Sequence, residues 1–474
     1  MTFIDQCTAA TDGIVDVLYS YILIALLVGA GLYFTFRSRF AQIRLLGAQI
    51  RSVTEKPKDK KSVSSFQALI VSTASRVGTG NIIGVAAAIC TGGFGSVFWM
   101  WLIAIVGAAS AFVESTLAQI YKRRGPDGKF YGGPAYYIET ALKCRPLAII
   151  FSVLLIFTYG IGFNMLASYN LQSTFETYRF YQEHPTITPW LIGLAVAVLV
   201  AFCLFGGGKR LVKTTTLLVP VMGIAYIAVA LCVVLMNLPM LPEVFRRIFT
   251  EAFDMQAIFG GFAGSCIMLG IKRGLFSNEA GVGSAPNASA SADVSHPAKQ
   301  GLVQMLSVFI DTLLVCSATA FMCMCSGVDP TQFEKGAPYV QAAMKATLGD
   351  FGPIFITVAM VLFAFTTLLG NLYYVDQCIF HILRRKPGRA FHIVYYTLAS
   401  AIILLGAGLN STLLWNIADI SMGAMALINI PVILLLCRHA FRALRDYEKQ
   451  KKQGLDPVFR AKDIDLPHNV DCWR

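Results

Sequence analysis

Two segments of this chain share a residue spacing suited to holding a small charged molecule. They are RVGTGNIIGV at 76–85 and RGLFSNEAGV at 273–282. Arg76, Asn81, Gly84 and Val85 recur in register as Arg273, Asn278, Gly281 and Val282. Each segment interrupts an apolar run with small and polar residues: Gly78-Thr79-Gly80-Asn81 in one, Gly274-Leu275-Phe276-Ser277-Asn278 in the other. Glycine costs a helix interior about 1 kcal/mol, so the glycines bracketing Thr79 predict an unwound helix there, and the second segment is expected to break over 274–278. Thr79, Asn81, Ser277 and Asn278 are cap-type residues for the outgoing halves. A half-helix N-terminus offers free N–H groups and partial positive charge to a carboxylate. Carbonyls freed on the preceding half suit an ammonium or Na⁺, and one small amino acid needs both. The other reading is a Gly-rich helix-packing seam, but a seam does not call for Asn and Thr beside its glycines.

Such segments need a scaffold at membrane depth, and the composition provides one. Of 474 residues, 56% are apolar and 14% charged, against about a quarter charged in soluble domains. The apolar residues fall in blocks of roughly twenty, the length of a bilayer-crossing helix. Eleven spans are expected: 14–36, 64–90, 94–121, 146–170, 188–206, 213–237, 255–284, 299–325, 352–382, 390–409 and 411–438. Between the first two lies a basic stretch, Arg37 to Lys61, with Phe40, Ile43, Leu46 and Ile50 at helical spacing. It predicts an amphipathic helix on the membrane surface. A second surface helix is expected near 338–348.

With the N-terminus outside, 31 of the 39 Lys and Arg residues fall in inner loops or the C-terminal tail. Outer segments hold only Arg179, Arg246, Arg247, Lys335 and Lys345, and three basic residues lie within spans. This asymmetry predicts an outer N-terminus and a cytoplasmic C-terminus. It also accounts for the net charge of +12 without nucleic acid.

The matched segments lie in spans two and seven, each followed by four more spans. The chain therefore parses as one peripheral helix plus five plus five: 1–62 (first span and amphipathic helix), 63–240, 241–440, and a tail, 441–474. Because five is odd, the second set enters the membrane from the opposite side. The expected fold is an all-α polytopic membrane protein with an inverted repeat and two broken helices meeting near the midplane.

The strings TASRVGTGNIIGVAAAI, YGGPAYYIE, RGLFSNEAGVGSAP and WNIADISMGAMAL resemble the sodium:alanine/glycine symporter family over nearly the whole chain. The resemblance implies the LeuT-like fold of the amino acid transporter superfamily in a cell (bacterial cytoplasmic) membrane. It also implies Na⁺-driven, sometimes H⁺-driven, uptake of small neutral amino acids, with no cofactor beyond the coupling ion and no ATPase subunit. Carried over by residue, the substrate set is Gly78, Thr79, Gly80, Asn81, Asn164, Phe276, Ser277 and Asn278. Amides near Thr79–Asn81 take the carboxylate, and carbonyls near Phe276 and Ser277 take the amine. The cation set is the carbonyls near Ala74 and Val77, the hydroxyls of Thr366 and Thr367, and Asn81. The chain departs from the family pattern at Phe94 (usually Pro), Ala167 (often Gln) and Met422 (often Asn). The last two leave alanine, glycine, serine and glutamine open as substrates.

Arg76, Lys272, Arg273, Glu114, Glu279, Asp311, Asp376 and Asp419 lie in or near spans. Buried charge is costly unless paired, so they read as structural or gating ion pairs ahead of a proton path. Gly206-Gly207-Gly208-Lys209 is no P-loop, since Cys203 and Arg210 occupy its defining positions. No converging Ser/His/Asp, HExxH or Cys/His pattern supports an enzyme. A uniporter or channel on the same scaffold is the remaining competitor.

Overall fold

A computed structural model of the chain describes residues 3–57, 62–254, 266–385, 387–466 and 470–473. Among these, nine helices are long and apolar enough to cross a bilayer: Gln6–Arg37, Gly95–Ile120, Arg145–Ser173, Thr188–Phe205, Arg210–Met236, Pro297–Cys325, Phe351–Leu383, Arg389–Ala407 and Ser411–Lys452. They cover nine of the expected spans. The other two are the interrupted pair, and 255–265 of the seventh lies outside the described residues.

The last helix overruns its expected end at 438, because Phe441, Leu444 and Tyr447 keep a buried face beyond it. Beyond this helix the described residues pack back onto the protein. Phe459 N–H donates to Ser295 O (3.0 Å), and the Trp473 indole donates to Gln119 O (2.8 Å). The expected surface helix near 338–348 is Gly336–Leu348, and it buries Tyr339, Val340, Ala343 and Met344.

Gly95–Ile120 is the central helix and packs against both Cys266–Asn278 and Pro297–Cys325. Small residues permit the close approach. A Cβ on Gly274 would stand 2.6 Å from Ile103 Cγ2 and 3.3 Å from Met100 Cα, and a Cβ on Gly301 would run into Phe112.

The first interrupted helix enters as Ser65–Arg76, started by a capping box between Ser64 and Gln67. It leaves helical geometry at Val77 and Gly78 and resumes over Gly80–Gly92, whose first turn is π-helical. The second enters as Cys266–Asn278, breaks over Glu279–Ala285, and ends in Pro286–Ser289. At one face, Val63 pairs with Ala292, and Asp293 N–H donates to Val63 O at 2.9 Å. The start of one broken helix thus adjoins the end of the other, and the two run antiparallel.

The second break corrects the expectation. It does not fall at 274–278, where the helix is continuous. Gly274 is a packing glycine against Gly95–Ile120, so there the seam reading holds. The break comes at the left-handed residues Glu279 (φ 53°), Gly281 (φ 85°) and Gly283 (φ 92°). Ser277 and Asn278 accordingly end an incoming half rather than start an outgoing one.

Candidate functional site

At the first break, Gly78 N–H donates to Asn81 Oδ1 (2.8 Å) and Asn81 N–H donates to Gly78 O (3.2 Å). Among the described residues, the N–H groups of Thr79 and Gly80 have no protein acceptor. They are the unspent donors of a helix start, where partial positive charge collects. Thr79 Oγ1 accepts from Asn170 Nδ2 at 3.1 Å.

At the second break the polarity is reversed. Ala280 N–H turns to Asn278 Oδ1 (3.0 Å), and Gly281 N–H turns to Glu114 Oε1 (3.3 Å). The carbonyls of Phe276 and Ser277 thereby lose their helical donors and have no other backbone partner among the described residues. Asn429 reinforces the turn, donating to Gly281 O (2.9 Å) and to Glu114 Oε2 (3.0 Å).

The two breaks touch. The ring of Phe276 occupies the place of a side chain on Gly80, where a Cβ would lie 2.6 Å from its Cε1. Phe276 stacks on Phe163 (4.7 Å between centroids) and packs against Trp415 (4.9 Å). Asn81 Nδ2 donates to Ser277 Oγ at 2.9 Å. Asn164 sits one step away: its Oδ1 accepts from Asn371 Nδ2 (3.0 Å), and Asn371 Oδ1 accepts from Ser75 Oγ (2.7 Å). Asn164 Nδ2, Asn170 Oδ1 and Thr367 Oγ1 are buried polar atoms without a hydrogen-bond partner among the described residues. Each such group costs about 1–3 kcal/mol if nothing ever satisfies it. Asn278 faces away from the first break, capping Ala280 and donating to Thr312 Oγ1 at 3.2 Å.

The cation set divides. Gly78 N–H is spent on Asn81, so Ala74 O lacks its helical donor, and Val77 O has no backbone donor either. Thr367 Oγ1 abuts Gly78, and a Cβ there would collide with it. Gly370 lets the same helix approach the backbone of Ala74 and Ser75. Thr366 points elsewhere: its hydroxyl donates to Leu362 O (3.0 Å) and Phe363 O (3.1 Å) of its own helix. Asn81 Oδ1 is engaged by Gly78 N–H, which leaves one lone pair for any further partner. Ala167 and Met422 are both buried.

A group outside the candidate set lies at the same crossing. Asp311, buried in Pro297–Cys325, accepts from Asn81 Nδ2 (2.7 Å), Ser277 Oγ (2.7 Å) and Thr312 Oγ1 (2.9 Å). It forms no ion pair among the described residues, and neither do Arg76, Glu114, Glu279 and Asp376. The expectation of paired charges holds only for Lys272 and Arg273, which flank Asp419 at 2.9 and 3.5 Å. This triad lies beyond the site, with the Arg273 guanidinium 3.9 Å above the Trp415 ring. On the opposite face, a cavity of about 1560 Å³ opens beside Val63, lined by Ser64, Gln67, Ser291, Tyr373 and Asp376.

The family model described as the sodium:alanine symporter family matches residues 4–461. Amino-acid carrier protein AlsT of Bacillus subtilis (strain 168) is 46% identical over 459 residues, covering 97% of this chain and 96% of that one. From the same organism, the probable sodium/glutamine symporter GlnT is 42% identical over 461 residues (97% and 94% covered). The putative sodium/proton-dependent alanine carrier protein YrbD, also from that organism, is 41% identical over 475 residues (96% of each).

Proposed function

The chain belongs to the sodium:alanine symporter family, a family of multi-pass membrane transporters, and from that premise we propose that it couples inward Na⁺ movement to uptake of a small neutral amino acid. The observation that carries this reading is the opposed pair of helix ends. The unspent amides of Thr79 and Gly80 suit a carboxylate, and the unspent carbonyls of Phe276 and Ser277 suit an ammonium, across a junction walled by Phe276 itself. A zwitterion satisfies both ends, whereas a simple anion or cation satisfies one. The stacked rings of Phe163 and Phe276 crowd the junction, which favours the alanine/glycine class over glutamine.

Na⁺ is held by the carbonyls of Ala74 and Val77 with the hydroxyl of Thr367. Asp311 offers a carboxylate to balance the cation, since all three of its hydrogen-bond partners donate to it. A proton on Asp311 would balance that charge equally well, so proton coupling is the second reading. The antiparallel course of the two broken helices supports the inverted arrangement of 63–240 and 241–440, and the interrupted pair added to the nine long helices, the peripheral span among them, brings the total to eleven. The large cavity on the Val63 face marks the cytoplasmic approach to the two broken helices and the ion triad the outer one, with the C-terminus on the cytoplasmic side.

Uptake of labelled alanine, glycine, serine and glutamine into proteoliposomes, under a Na⁺ gradient or a matched K⁺ gradient, tests this. Na⁺-dependent concentration of alanine or glycine is expected. Concentrative uptake that is equal in the two salts, and abolished by collapsing a pH gradient, would replace Na⁺ with H⁺; downhill flux alone would make the protein a uniporter.

A further inference from the structure

The segment after the first span is built inside out. Arg39 (φ 57°) and Phe40 (φ 54°) are successive left-handed residues that turn the chain out of Gln6–Arg37 and into the short helices Ala41–Arg44 and Leu46–Val53. These helices turn their polar side inward. Gln42 and Gln49 are fully buried: Gln42 Nε2 donates to Thr35 Oγ1 (2.9 Å) and Gln49 Nε2 donates to Gln42 O (2.8 Å). The apolar side faces out, with Phe40 45% exposed, Ile43 62%, Leu46 44% and Ile50 56%. Arg37, Arg39, Arg44, Arg51 and Lys56 are exposed along the same stretch, and only Arg44 is in an ion pair among the described residues, with Glu448 at 2.7 Å.

We propose that this arm is a docking surface for an anionic phospholipid leaflet, and that Glu55 passes its state to the second broken helix. The surface combines what the headgroup boundary selects: an exposed apolar stripe to sink among acyl chains and flanking arginines for phosphate groups. Its continuity with Gln6–Arg37 delivers it to the membrane surface, because that span ends where the arm begins. A water-facing arm with buried glutamines and exposed isoleucines would be the reverse of the usual order. Coupling runs through the arm's end. Glu55 Oε1 accepts from Ser295 N–H (3.1 Å) and from the buried Lys299 ammonium (2.9 Å). Ser295 and Lys299 lie just past Ala292 and Asp293, where the second broken helix adjoins the start of the first. An arm drawn onto an anionic surface therefore pulls on the connection that holds both breaks at the cavity face.

The docking claim stands apart from the transport reading and has its own test. The full-length protein is placed in nanodiscs of phosphatidylcholine alone or of equal phosphatidylcholine and phosphatidylglycerol, and amide hydrogen exchange is followed over 41–53. Docking predicts exchange slowed about tenfold by phosphatidylglycerol in the wild type, with the difference lost in the Arg39→Gln, Arg51→Gln double variant. Equal exchange in the two lipids overturns it. In proteoliposomes of the same two compositions, phosphatidylglycerol raises the uptake rate about threefold in the wild type. Glu55→Gln keeps the exchange difference and loses the rate difference. A Glu55→Gln variant that is still stimulated overturns the coupling while leaving the docking intact.

Discussion

Asn81 and Asp311 are joined by a 2.7 Å hydrogen bond from Asn81 Nδ2 to Asp311 Oδ1, which ties the first broken helix to the helix Pro297–Cys325 at the level of the site. The bond orients the amide so that Asn81 Oδ1 serves Gly78 N–H, and the break at Gly78 is thereby held by a carboxylate on another helix. Asp311→Asn keeps the shape and removes the charge. Apparent affinity for the coupling cation is expected to fall at least about tenfold, equivalent to ~1.4 kcal/mol, in uptake assays over a Na⁺ titration. An unchanged half-saturating Na⁺ concentration would remove Asp311 from the cation balance.

Gly80 and Phe276 compete for the same space. Gly80→Ala should displace the ring and raise KM, and Gly80→Leu should reduce substrate binding to background. Phe276→Leu in the Gly80→Ala background gives back room and should recover part of the lost affinity. Were the double variant no better than Gly80→Ala alone, the steric account of this pair would be wrong.

The two neighbouring threonines make opposite predictions. Thr367→Val removes an unpartnered hydroxyl beside Gly78 and should weaken the Na⁺ response about tenfold, the scale of a hydrogen bond to a charged group. Thr366→Val removes a hydroxyl bonded only within its own helix, apart from a 3.5 Å contact with Met222 sulfur, and should leave the response intact. The comparison is internal, since the two sites share one helix. The reverse ranking in a Na⁺ titration would move the cation site away from Ala74 and Val77.

Asp419→Asn leaves the buried Lys272 and the half-buried Arg273 against a neutral neighbour. Breaking a buried pair in this way costs about 3–5 kcal/mol, so the melting temperature in detergent should drop markedly. Adding Lys272→Met removes one of the two stranded cations and should recover part of the loss. A single variant as stable as the wild type would show that the triad opens freely in the purified protein.

Nine of the spans were legible because burial in lipid demands uninterrupted apolar length, and that demand is written in each of their twenty-residue blocks. The first break was also legible, since Gly78, Thr79 and Gly80 have no other use in an apolar helix. Gly274 misled because a glycine that admits a neighbouring helix looks, in one dimension, like a glycine that ends its own. The true second break carried its signal in Gly281 and Gly283, which take left-handed geometry. Asp311 was visible as a charge in an apolar run, but its role depends on Asn81 and Ser277 arriving beside it from segments far apart in the chain. The same holds for Thr366 and Thr367, whose difference is a matter of which way each faces on one helix.

Because the antiparallel helices bring Gly80 against Phe276 and Asn81 against Ser277, neither broken helix owns the candidate site. A residue that changes on one side alters the fit of a residue about two hundred positions away. Descendants of this scaffold that acquire a new cargo should therefore change in matched couples, one member in each half, and a lone replacement at either break should be an evolutionary dead end.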